Sequence, residues 1–163
     1  MTDAQTSSTK LDRARALVRR NVLWALGIGL LPFPVADFVA LTGFQVKMIR
    51  ELSDLYGVPF HDKRARTLVW SLVTGLGSVV LTGAIAGSLV KSVPLIGQVL
   101  GVVGVAAVAG ALTQAMGDLF IMHFEAGGTL LTFDVEAMRA HFRQEYMQAR
   151  ITVQRIHKDP IAP

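Results

Sequence analysis

The 51 residues from Thr67 to Gly117 contain a single formal charge, Lys91. A stretch this long without charge offers water almost nothing along its outside, so protein or lipid must enclose it. It divides at Lys91-Ser92-Val93-Pro94 into two arms. Thr67–Val90 has 24 uncharged residues and Ser92–Gly117 has 26. Either arm, as a helix rising about 1.5 Å per residue, exceeds the ~20 residues that cross a hydrocarbon core. The segment therefore predicts a transmembrane helical hairpin over 67–117 with a very short turn. It excludes a disordered chain, and it makes an ordinary soluble enzyme a poor reading. Of the 163 residues, 17% are charged, against about 25% in soluble domains.

The remaining charge flanks the apolar runs. Regions 10–20, 47–66 and 139–158 each hold five Lys or Arg, and Lys91 alone lies between the arms. Short loops rich in Lys and Arg stay cytoplasmic, which places both termini on that side. The net charge of +4 thus follows apolar segments and does not form a nucleic-acid stripe; basic flanks of this kind attract anionic headgroups. Arg13, Arg15, Arg19, Arg20, Lys63, Arg64 and Arg66 are the expected lipid-headgroup contacts. Trp24 and Trp70, near the expected membrane ends, read as interfacial anchors.

Residues 1–8 read as a mobile tail and 158–163 as another, with one helical membrane domain over 9–157 between them. Leu11, Ala14, Leu17 and Val18 recur at helical spacing among arginines. Asn21–Val46 is apolar but broken by Pro32-Phe33-Pro34, which no regular helix accommodates. Each arm of 21–46 is too short to span, and a single span would carry the basic 47–66 region across the membrane, so a re-entrant hairpin is expected. Its second arm carries the stripe Phe38, Leu41, Gln45, Met48, Leu52, Leu55 and runs to Tyr56, where Gly57 supplies a left-handed stop. Asp62 is the expected cap of the next helix. A last amphipathic helix over 134–157 shows Val135, Met138, Phe142, Tyr146 and Ala149 on one face.

Small residues mark the hairpin: Gly75, Gly83, Gly87, Gly97, Gly101, Gly104 and Gly110. Helices in lipid associate through close backbone approach, which glycine permits. These glycines either pack the two arms together or also pack neighbouring subunits into a homo-oligomer. Asp37, just past Pro34, suits the positive end of a helix. Gln45 within an apolar stripe is placed to hydrogen-bond across a helix pair and set its register. Asp118, closing the second arm, is expected near Lys63 or Arg66.

Catalytic chemistry is not expected. There is no cysteine, the four histidines share no metal-ligand spacing, and neither a phosphate loop nor a nucleophile elbow occurs. No cofactor, metal or nucleic acid is expected.

Gly29-Leu30-Leu31-Pro32-Phe33-Pro34, Asp37, Gln45 and Tyr56-Gly57 form one recognisable set. Val93-Pro94-Leu95-Ile96-Gly97-Gln98 and Thr113-Gln114-Ala115-Met116-Gly117 form a second. Together, over about residues 15–145, they resemble the YcjF-like bacterial membrane domain, domain of unknown function 697. The resemblance implies an all-helical inner-membrane domain that elsewhere accompanies a GTPase domain, and it implies no reaction. The expectation is an all-α integral membrane protein, non-enzymatic, that self-assembles through its hairpin as a scaffold or adaptor with a GTPase-type partner. A membrane-shaping or pore-forming oligomer is the alternative.

Overall fold

A computed structural model describes residues 2–28, 36–76 and 96–158, with side chains over 9–27, 41–76 and 106–151. Within them the chain forms five α-helices and no strand. They are α1 (Thr2–Ile28), α2 (Ala36–Tyr56), α3 (Asp62–Gly75), α4 (Ile96–Glu125) and α5 (Val135–Lys158). Helix α1 begins inside the stretch expected as a tail. Ser7, Ser8 and Thr9 are weak helix formers but not breakers, so a helix established around Leu11 extends back through them.

The helix ends follow local chemistry. At the end of α2, Gly57 takes φ +69°. Val58 N–H then donates to the Ser53 carbonyl and Gly57 N–H to that of Asp54. At the end of α4, Gly127 takes φ +78°. There Gly128 N–H donates to the His123 carbonyl and Gly127 N–H to that of Phe124. Both are Schellman ends, in which the left-handed residue turns the last free carbonyls inward. Asp134 caps α5, its Oδ1 accepting from Glu136 and Ala137 N–H at 2.9 and 3.2 Å. The expected cap of α3 is corrected. His61 occupies that position without a side-chain cap bond. Asp62 is the first helical residue and accepts from Arg66 Nε, one turn on, at 2.7 Å.

Helix α4, about 45 Å long at the standard rise, is the axis of the fold. α1, α2 and α5 pack on it; α2 also packs on α1 and α3, and α3 on α5. From Ala106 to Phe124 it is buried on nearly every side, through Ala109, Ala111, Leu112, Ala115, Met116, Leu119 and Phe120. A helix apolar all round is one that is enclosed all round. Leu68, Val69, Leu72 and Leu76 of the first arm are buried in the same core. The two ends of the expected hairpin are therefore wrapped by protein. Its middle, 77–95, with Gly83 and Gly87, lies outside the described residues, as do Pro32 and Pro34. Among the described residues no helix is long and apolar enough to cross a membrane.

Candidate functional site

Gly110 and Gly117 lie seven residues apart on α4 and face α1. A Cβ at Gly110 would meet Leu26 Cδ2 at 2.8 Å, and one at Gly117 would meet both Val18 methyls at 2.5 Å. The backbone of α4 is thus the floor on which α1 lies, antiparallel to it. Gly75, the last residue of α3, is covered by the Arg139 side chain of α5, whose Nε would be 3.1 Å from an added Cβ. Gly97, Gly101 and Gly104 lie on α4, but their surroundings are outside the described residues.

Gln45 is fully buried, and its Nε2 donates to Thr113 Oγ1 at 2.9 Å. The Thr113 hydroxyl in turn donates to the Ala109 carbonyl at 2.8 Å. This bond joins α2 to α4 inside the apolar core and sets their register. Asp37 is the second residue of α2, and its side chain lies outside the described residues.

A second polar tie joins α1 to α2. Asn21 is buried; its Nδ2 donates to the Leu17 carbonyl at 2.9 Å and to Glu51 Oε2 at 3.1 Å. Glu51 also takes Arg20 at 3.1 Å and Lys47 at 2.7 Å. Burial pushes the Glu51 carboxyl up, but bonds from Lys47 and Asn21 and the charges of Lys47 and Arg20 prevail and hold it below the usual range.

Beside α4, a groove of about 460 Å³ runs between α1 and α5, lined by Leu11, Arg15, Asp118, Met122, Glu125 and Glu145. Asp118 accepts from Gln114 Nε2 at 2.7 Å. Burial raises its pKa, the Gln114 bond opposes that, the Glu145 charge adds to it and Arg15 opposes it; the net shift is upward. Asp118 therefore faces Arg15 and Glu145, which corrects the expectation of Lys63 or Arg66. At the same end Tyr56 OH donates to Glu125 Oε1 at 2.5 Å. Burial, that bond and the Glu125 charge push the Tyr56 hydroxyl far up. Among the described residues no group of His, Asp or Glu is arranged to hold a metal ion.

The expected headgroup contacts divide. Arg64 is half-buried and donates from Nε to the Leu130 carbonyl and from Nη2 to the Phe133 carbonyl, each at 3.1 Å, tying α3 to the α4–α5 loop. Arg15 faces the groove. Arg13, Arg19, Arg20, Lys63 and Arg66 are exposed. Sequence reasoning missed three structural residues: Asn21, whose polarity in an apolar run was the available signal, Gly117, and His123. The His123 ring stands against Phe133 at 4.9 Å and occupies the space a side chain on Gly128 would need.

The sequence model of the family described as domain of unknown function (DUF697) matches residues 2–150. Magnetosome membrane protein 22 of Magnetospirillum gryphiswaldense is 34% identical over 137 residues, 84% of this chain and 70% of that protein. No solved structure matches the chain. The described signature residues Gln45, Tyr56, Gly57 and Gly117 serve helix ends or contacts between helices, and Gln114 holds Asp118 one turn on within α4. They act as a fold signature.

Proposed function

Because the chain belongs to the domain of unknown function 697 family, we propose that it is a non-enzymatic, membrane-embedded scaffold whose helical bundle holds the foot of a glycine-rich hairpin. The observation that carries this reading is the uncharged segment itself. Its two ends, at Leu68–Leu76 and Ala106–Met116, are built into one core, which supports reading the uncharged sequence between them as one hairpin. A relative described as a membrane protein supports the same reading. On it, the hairpin crosses a bacterial inner membrane and returns, with both termini cytoplasmic. Gly83, Gly87, Gly97, Gly101 and Gly104 pack copies of the chain together, since Gly110 and Gly117 already serve α1. The polar end around Asp118, Glu125 and Glu145 is left for a cytoplasmic partner of the GTPase type that the family resemblance implies.

Fractionation and crosslinking in native membranes test the two parts separately. The chain should stay in the pellet through a carbonate wash; release into the supernatant overturns membrane embedding. Crosslinking should yield dimers or larger species; a monomer at every concentration overturns self-assembly.

A further inference from the structure

The chain has two tryptophans, and both are exposed: Trp24 at 64% and Trp70 at 48% of their surface, with Leu23 beside Trp24 at 69%. Each stands one helical turn past an arginine. Arg19 and Arg20 precede Leu23 and Trp24 by four residues on α1, and Arg66 precedes Trp70 by four on α3. Residues four apart share a helix face, so each aromatic ring continues a guanidinium outward along the same side. Arg20 and Arg66 keep 60% and 56% of their side chains exposed while bridging to Glu51 and Asp62.

The two helices also run the same way. Arg15 of α1 lies beside Asp118 and Glu125, and Arg64 of α3 reaches the loop that follows α4. Arg15 of α1 and Arg64 of α3 therefore lie towards the Glu125 end of the bundle, and each helix runs on from there to its tryptophan. Past each tryptophan the helix's own sequence carries no charge, although Arg139 of α5, paired with Glu136, lies over Gly75. No charged residue occurs from Ala25 to Ala36, or from Ser71 to Val90. Guanidinium, then indole, then uncharged chain is the order of an anionic headgroup layer, its boundary and hydrocarbon.

We propose that Arg19–Arg20 with Leu23–Trp24, and Arg66 with Trp70, form a collar that seats the bundle in an anionic phospholipid surface, with the membrane boundary at the tryptophans. The proposal rests on the membrane reading above and adds its depth and its lipid class. Length agrees with it. Ser71–Val90 is 20 uncharged residues, the number needed for ~30 Å of hydrocarbon. If the boundary stood instead above Leu76, only 14 residues would remain before Lys91, too few to cross. On α5, Arg143 likewise precedes the exposed Met147 by four residues, but Arg150 follows, and α5 has no part in the collar.

The tryptophans are themselves the probe. The full chain, with Trp24→Phe and Trp70→Phe each leaving one indole, is reconstituted in phosphatidylglycerol-containing vesicles. Lipids brominated near the headgroup or deep in the acyl chain then report depth. The expected result is that each indole is quenched at least twofold more by the shallow bromine. Arg19→Gln with Arg20→Gln should change the Trp24 profile, and Arg66→Gln that of Trp70. Vesicle-bound protein whose indoles no brominated lipid quenches overturns the collar while the membrane reading stands; blue-shifted emission in that case puts protein against the rings. Quenching mainly by the deep bromine, or of one indole only, also overturns it. Protein that fails to float with the vesicles overturns the membrane reading and the collar with it.

Discussion

At the level of single residues, what matters is where a side chain is missing. Gly117 lies under Val18, with no room for a Cβ, so Gly117→Val should cost about 2 kcal/mol through overpacking. Gly43, inside α2, has nothing within 4 Å, and Gly43→Ala should stabilise by about 0.5–1 kcal/mol by restricting the unfolded chain. Thermal unfolding of the purified variants checks both signs. Gln45 and Thr113 give a similar asymmetry. Gln45 Oε1 is buried without a partner among the described residues, so Gln45→Leu removes an unpaired atom together with the bond and should be nearly neutral. Thr113→Val strands the whole amide and should cost about 1–3 kcal/mol. The double variant should recover most of that loss, which a double-mutant cycle in denaturant measures.

Among the elements, polar ties help hold helices together, and two carboxyls beside helix contacts carry opposite pH signs. Glu51, joining α1 to α2, has a lowered pKa in the folded chain. Its stabilising contribution is therefore present above the ordinary carboxylate range and is lost as pH falls through the lowered value. Asp118, on the groove between α1 and α5, has a raised one. Stability linked to it is present below the ordinary range and is lost as pH rises through the raised value. Glu51→Gln should accordingly flatten the acid side of the stability profile. Asp118→Asn should be more stable than the parent at neutral pH and equal to it in acid. Unfolding midpoints across a pH series read both effects. Arg64 ties α3 to the loop after α4 through two backbone carbonyls.

For the whole molecule, the division of glycines between the bundle and the hairpin yields the prediction that tests the scaffold. Gly83→Leu with Gly87→Leu should abolish crosslinked species in membranes and leave bundle unfolding unchanged, whereas Gly117→Val should do the reverse. Much of this protein was legible in its sequence. The helix stop at Gly57, the start after Asp134 and the buried stripes through Met48 and Leu52 and through Phe142 and Tyr146 follow from helix period and cap chemistry. Those depend on neighbours a few residues away, which the sequence itself supplies. Partners across the bundle were not legible: Gln45 with Thr113, Gly117 under Val18, Arg64 on the Leu130 and Phe133 carbonyls, Asp118 with Arg15 in place of Lys63 or Arg66. Each joins residues far apart in the chain, and many pairings would satisfy the same apolar face. The low charge of Thr67–Gly117 shows both parts of the lesson. The sequence determined by itself that this segment must be enclosed, because an uncharged helix is costly in water. Only the tertiary structure decided that protein encloses its two ends, because α1, α2 and α5 reach them and close around α4.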